Sequence, residues 1–457
     1  MKFVLGTGFG AYIPMYLYLG MLGGALLSIV WRPRLSFYLL MLLIPLQTTR
    51  ARLIPFPLGS HVVDILWVTA LLGAFVCLGG PFLLQSSLNK AILLLAVTTY
   101  LSLWRGWVFL GGPAPIDIAD PRFSDWKNYM VMPILTLVAA ATLRDRKHLK
   151  IAVLIVIVGL CLVNYSFLRS SVGRDFSHFS DDVRDEGVLG YAGVNGLSAF
   201  VAQTAVLCAV LFFFVRQRMI RLILAGVMAL SVYSLLFSFS RGGYAAFLAG
   251  ISFLALYRQK KLLIGVAALL ISWQTIVPTA VRERITMTYD SGTGELDHSA
   301  AERVDLWQDA LSLISEHPVE GTGYDTYQFM HRVGPYTDTH DYYLKVFVEM
   351  GAIGVLVLLV VLFQLWRIGM ELYRKADDWF LKALGFGLAA MVVCTTVANL
   401  FGDRWSYLQV NGFIWVLAGC VIRGLYIVAH EQAEERVAAD ELPIAGETGS
   451  GDLVAAV

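Results

Sequence analysis

Apolar runs long enough to cross a hydrocarbon layer of roughly 30 Å recur along nearly the whole chain, and no soluble fold can absorb that many. Hydrophobic residues make up 57% of the sequence and charged residues only 15%, too little polar surface to cover the apolar content of a globule. The chain therefore reads as an all-α polytopic membrane protein. Its spans fall near 10–30, 35–47, 61–79, 89–110, 127–143, 149–166, 191–215, 221–240, 242–257, 262–279, 343–366, 380–400 and 407–428, about 13 transmembrane helices within a range of 12–14.

Charge placement orients these spans. Arg32 and Arg34, Lys90, Arg144 to Lys150, Arg216 to Arg221, Arg258 to Lys261, and Arg367 to Lys375 occupy every second loop. Basic loops stay in the cytoplasm, which puts 167–190 and 280–342 outside. Arg50 and Arg52 run against this register. All five cysteines lie in apolar spans, so disulfides are not expected. Residues 1–428 form the membrane domain, including the external loop 280–342; residues 429–457, acidic and then rich in Gly, Ser and Ala, read as a disordered cytoplasmic tail. No Walker loop, dinucleotide fingerprint or paired-histidine metal motif occurs, so neither a cofactor nor a bound metal is expected. Nucleic acid is not among the expected partners.

The external loop is the one segment outside the spans long enough to build a site. Within it, "HSAAERVDLWQDALSLISEHP" carries a capping box, Ser299 with Glu302, and stops before Pro318. At 100° per residue, Val304, Trp307, Ala310, Leu311 and Ile314 share one side and Asp305, Gln308, Asp309, Ser312 and Glu316 the other, with Arg303 on the apolar side. Arg303 either docks the helix by pairing with a carboxylate or meets an anion at the membrane domain; both readings stand. Arg241, in the tight turn "SRGG" between two apolar spans, is either an interfacial arginine or an anion ligand. Arg105 and Arg404 stand beside tryptophans at the outer edge, where an interfacial belt accounts for them. His340 precedes a long apolar helix that Asp338 or Thr339 can cap. A helix N-terminus attracts phosphate and disfavours the imidazolium, so a neutral His340 can accept a proton, although histidine is also common at water interfaces. Gly351 and Gly354 read as a small face for helix packing, and Lys345 with Glu349, one turn apart, as a pair.

These residues carry a resemblance. "HDYYLKVFVEMGAIG" resembles the signature of the O-antigen ligase and polymerase superfamily, "SRGG" at 240–243 its arginine-bearing turn, and "ERVDLWQDALSLISEHPVEGTGYDTY" its external loop, in which an arginine opens a helix followed by a His-Pro-x-x-Gly-x-Gly segment. The resemblance implies a bacterial inner-membrane glycosyltransferase with its active site facing the periplasm or cell exterior. Its donor would be an undecaprenyl-diphosphate-linked oligosaccharide, its acceptor a glycan or lipid-linked glycan, with no cofactor and no metal. His340 would act as general base and Arg241 and Arg303 would bind the diphosphate, with Asp341, Arg105 and Arg404 as further candidates. Displacement of the diphosphate from the opposite face would invert the anomeric centre. Ligases of this group carry Asn, Ser or Gln after the histidine; Asp341 stands there in this chain, which favours polymerase over ligase. A transporter or flippase of the lipid-linked glycan, or a scaffold subunit, are the alternatives. A transporter places ionisable groups near the bilayer midplane and shows repeat symmetry, whereas the candidates here cluster at one surface.

Overall fold

A computed structural model of the chain describes residues 12–79, 83–117, 120–287, 298–334 and 336–440, with the side chains of 298–300 and 438–440 left aside. Among the described residues every regular element is helical. In chain order they are α1 (Ile13–Val30), α2 (Leu35–Leu43), α3 (Gln47–Ala51), α4 (Val62–Cys77), α5 (Ser87–Leu110), α6 (Pro121–Thr142), α7 (Arg146–Ser171), α8 (Gly193–Phe214), α9 (Arg218–Phe237), α10 (Arg241–Tyr257), α11 (Lys261–Ile276), α12 (Thr279–Thr286), α13 (His298–Glu316), α14 (Tyr327–Met330), α15 (Tyr342–Lys375), α16 (Trp379–Ala398) and α17 (Leu408–Asp440).

Every expected span coincides with a helix, yet the count of thirteen is not reached. Among the described residues nine helices are long and apolar enough to cross a membrane, or ten if α11 and α12, bent by 106°, are one broken span. Local chemistry explains the shortfall. Helix α2 has only 9 residues, roughly 14 Å at 1.5 Å per residue, and stops short of Pro45, whose ring and missing N–H oppose continuation. The first half of α6 carries Arg122, Asp125 and Lys127, and α10 and α11 have 17 and 16 residues. Helix starts follow the usual polar caps: Ser86, Asp120, Asp145, Ser240, Asp341 and Asp378 each accept a backbone N–H from the first turn.

Helices α8, α16 and α17 form the buried centre, while α1, α4 and α9 turn most of their surface outward. The outward side chains are apolar, Ile271 (84% exposed), Leu26, Leu101 and Leu356 among them, as expected of a surface wetted by lipid.

The alternation of basic loops in sequence is an alternation in space. At one end Arg34 Nε donates to the Thr142 carbonyl (3.1 Å) and Arg146 pairs with Glu431 (2.7 Å). At the other end Thr48 N–H bonds the Leu189 carbonyl (2.8 Å), His178 meets Glu283 (2.8 Å) and Arg105 meets Glu320 (3.6 Å). The discordant Arg50 lies at this second end with Nη2 on Gln409 Oε1 at 3.1 Å, so its charge is held inside the protein. The last helix runs to Asp440; residues 429–440, expected as disordered tail, continue it, and 441–457 lie outside the described residues.

Candidate active site

Helix α15 is interrupted. Gly351 has φ 61° and ψ −162° inside it, a conformation that side chains with a Cβ rarely adopt, and a Cβ there would sit 2.1 Å from the Val319 carbonyl oxygen. The segment Pro318–Gly323 passes through the gap and satisfies the freed backbone. Ala352 N–H bonds the Pro318 carbonyl (2.9 Å), Ile353 N–H that of Val319 (3.3 Å), Thr322 N–H donates to the Val348 carbonyl (2.9 Å) and Gly323 N–H to that of Glu349 (2.7 Å). Irregular backbone inside an apolar helix is tolerated only when its polar groups are taken up in this way. Gly323 permits the passage, since a Cβ on it would fall 2.1 Å from Gly106 Cα. The glycine spacing read as a helix-packing face is thus corrected: Gly351 marks a break, and a Cβ on Gly354 would meet Met350 of its own helix.

The loop leads into His340. The helix cap is not Asp338 or Thr339, as expected, but Asp341, whose Oδ1 accepts the N–H groups of Tyr343 (2.8 Å) and Leu344 (3.1 Å). His340 stands one residue before it, left-handed at φ 55°, a strain of about 1–3 kcal/mol for a residue other than glycine. Asp338 holds it there by accepting its N–H at 2.7 Å, and Tyr336 meets the imidazole edge-on at 5.7 Å between centroids. Burial lowers the His340 pKa from its ordinary value of 6.5; Arg303 and Arg404 lower it further, while Asp338 and Glu302 oppose them. The site therefore favours neutral imidazole. Burial raises the Asp341 pKa, against the two N–H groups it caps.

Arg303 and Arg404 both bear on His340. Arg404 is buried, with Nη1 on the Asp403 carbonyl (3.1 Å) and Nη2 on that of Phe401 (3.4 Å), so it is a fixed guanidinium within electrostatic reach of His340 and not one exposed in an interfacial belt. Arg241 opens α10 in the adjoining turn, where Ser240 Oγ caps Gly243 N–H (3.3 Å) and donates to Asn195 Oδ1 (2.8 Å). Gly242 abuts Phe401, where a Cβ would lie 2.7 Å from the phenylalanine Cβ; this links the Arg241 turn to the Arg404 turn. Arg241 Nη1 donates to the Met287 carbonyl (3.2 Å), and Arg284 Nη1 lies 4.0 Å from Met287 Sδ. Arg284, stacked 4.9 Å over Phe179, was not foreseen; nothing in "VRERI" distinguishes it. Arg241 also stands at an apolar groove of about 570 Å³ lined by Leu236, Phe247, Leu248, Trp273 and Ile276, and is the one charged residue among the described residues lining it. Arg105 is placed differently, 3.6 Å from Glu320, 3.3 Å from His317 Nδ1 and over the Phe109 ring, where it holds the loop.

Two further readings are revised. The inward stripe of α13 is Leu306, Ala310 and Leu313, while Val304, Trp307 and Leu311 are exposed. The returning segment 319–334 packs on the other side, drawing Asp309 to Arg332 (2.7 Å) and Tyr327 (3.3 Å). The capping-box Ser299 lies outside the described side chains. Lys345 pairs with Asp403 (3.2 Å) and approaches Asp325 (4.0 Å) in place of the expected Glu349. Among the described residues no three His, Cys, Asp or Glu side chains gather as metal ligands.

Residues 226–359 match the family model described as O-antigen ligase. The matched stretch contains Arg241, Arg303, His340 and Asp341 and leaves out Arg105 and Arg404. It supports the O-antigen ligase/polymerase superfamily and glycan transfer of that general type by a multi-pass membrane enzyme. No curated protein matches the chain.

Proposed function

Proceeding from the O-antigen ligase match, we propose that the chain transfers a glycan from undecaprenyl diphosphate to an acceptor sugar at the outer face of the bacterial inner membrane, extending a surface polysaccharide. The observation that carries this reading is the position of Arg241. A cation at an otherwise apolar groove matches a ligand that joins a diphosphate to an isoprenoid chain. Arginine suits the diphosphate because its planar fork donates two charge-assisted hydrogen bonds at once, and Arg284 beside Met287 adds a second cation. The groove takes the isoprenoid.

His340 performs the proton transfer. The acceptor hydroxyl oxygen forms a bond to the anomeric carbon as the bond from that carbon to the diphosphate oxygen breaks. The electron pair leaves with the diphosphate, where Arg303 and Arg241 stabilise the growing charge, and the hydroxyl proton passes to neutral His340. Attack opposite the leaving group inverts the anomeric centre. No step in this scheme requires a metal. Asp341 is engaged as a helix cap, so its carboxylate supports the polymerase reading less than the sequence implied.

A flippase is the second reading, since broken helices and buried ionisable groups mark transporter sites. The break in α15 speaks for it. Against it, the freed backbone groups of Val348, Glu349, Ala352 and Ile353 are already bonded by the loop and offer little to a passing substrate.

Glycan length in a deletion strain tests the proposal. Single repeat units left on the acceptor mean polymerase, long chains left on the lipid carrier mean ligase, and lipid-linked units trapped on the cytoplasmic face would overturn both in favour of a flippase.

A further inference from the structure

A second cavity, of about 490 Å³, lies at the same end of the bundle, between α4, α6, the Tyr324–Gln328 turn, the first half of α15 and the Asp403–Gln409 turn. Its volume falls within the roughly 300–1,000 Å³ of small-molecule sites, but its lining is polar. Lys345 donates to Asp403 Oδ2 at 3.2 Å and lies 4.0 Å from Asp325 Oδ1. One turn below, Glu349 is 96% buried by its 4% exposure, and its Oε1 has no hydrogen-bond partner among the described residues. A buried acceptor left unmade is costly, and this one lines the cavity. Tyr129, Tyr324, Tyr342 and Tyr407 complete the lining, the Tyr129 hydroxyl already accepting from Trp405 Nε1 at 2.9 Å.

These features select a ligand class. Asp64, Asp125, Glu349 and Asp403 outnumber Arg50 and Lys345 on the walls, so an anion such as phosphate is repelled. The convergent acceptors call for a neutral molecule rich in hydroxyl donors, and the tyrosines for one with an apolar ring face. Both belong to a saccharide. Asp325 adds to this: burial, with Glu349 and Asp125 nearby, pushes its pKa up against the pull of Lys345, which favours the protonated form that can donate. The cavity is also tied to His340, because Asp338 accepts His340 N–H on Oδ1 (2.7 Å) and Asp403 N–H on Oδ2 (3.4 Å).

We propose that this cavity is the acceptor-saccharide site, with sugar hydroxyls bound by Asp325, Glu349 and Asp403 and the ring set against tyrosine. The inference rests on the glycan-transfer reading and adds the place where the acceptor sits.

The test uses the full chain in lipid nanodiscs and, as probe, the repeat-unit oligosaccharide released from its carrier by mild acid, which lacks lipid and diphosphate. Calorimetry should show binding to wild type, weakened about tenfold or more in Asp325→Ala and Glu349→Leu, since hydrogen bonds to buried acidic groups are of that strength, and unchanged in Arg241→Ala. In transfer assays the same cavity variants should raise the acceptor KM with a smaller effect on kcat. If the two variants do not fold, Gln328→Ala, which removes a lining amide bonded to Asp325, carries the measurement with the same expectation. Equal oligosaccharide binding in wild type and folded cavity variants, or no binding to wild type, overturns the acceptor site. Wild-type transfer abolished by His340→Ala but with an acceptor KM indifferent to the cavity variants defeats this inference alone, whereas absence of any transfer by wild type defeats the functional reading beneath it.

Discussion

Asp338 holds the backbone N–H of His340 at 2.7 Å, fixing a left-handed residue immediately before the cap of α15. The imidazole is thereby set at the entrance of α15 under the influence of Arg303 and Arg404, and its titration should report all three.

The acid limb of the pH profile should lie below the ordinary histidine value of 6.5. A base is lost when it is protonated, and a lowered pKa delays protonation to more acidic medium. Arg303→Gln removes one of the groups that lower it, so the limb should move to higher pH; Asp338→Asn removes an opposing charge and should move it lower. The pH dependence of kcat/KM measures both. Activity that climbs from about pH 7 to about pH 5 would show a cationic role instead.

Gly323→Ala should destabilise the protein by about 2–3 kcal/mol, because the new methyl meets Gly106 backbone at 2.1 Å and φ is 122°. Gly226→Ala is the control, with nothing within 4 Å of its Cβ. Thermal melting in detergent compares them; equal melting points would contradict the threading of Pro318–Gly323 through the helix break.

Much of this arrangement was legible in the sequence and some was not. The helices followed from hydropathy, and local motifs singled out Arg303 and His340, which the fold brings within electrostatic reach of each other, and Arg241, whose turn packs through Gly242 on Phe401. The rotation of α13 was not legible, since the contacts on its flank, such as Arg332 on Asp309, come from 23 residues further along the chain. Gly351 carried a packing pattern whose real use appears only when Val319 arrives. The polar cavity was hidden because Asp325, Lys345 and Asp403 come from separate segments, the last two 58 residues apart.

The arginines should separate by role. Arg241→Ala and Arg303→Ala should each cost on the order of 2 kcal/mol in transition-state binding, with poor rescue by lysine. Arg105→Ala should cost about 1 kcal/mol or less, since its partner Glu320 is half exposed and such pairs contribute little. Transfer rates with lipid-linked donor distinguish the two groups; an Arg105 effect as large as that of Arg303 would refute the division.

Ser312 is exposed on α13, and the external assignment of 280–342 expects Ser312→Cys, in a background lacking Cys77, to react with an impermeant maleimide in intact spheroplasts. Reaction only after lysis would invert the topology.

The most direct test of the account is the initial rate of glycan transfer by purified His340→Gln beside wild type at neutral pH, with lipid-linked donor saturating. A positioned general base contributes about 10²–10⁴-fold, so the variant should fall by that factor while binding donor as before. A rate equal to wild type would contradict the assignment of His340 as the base.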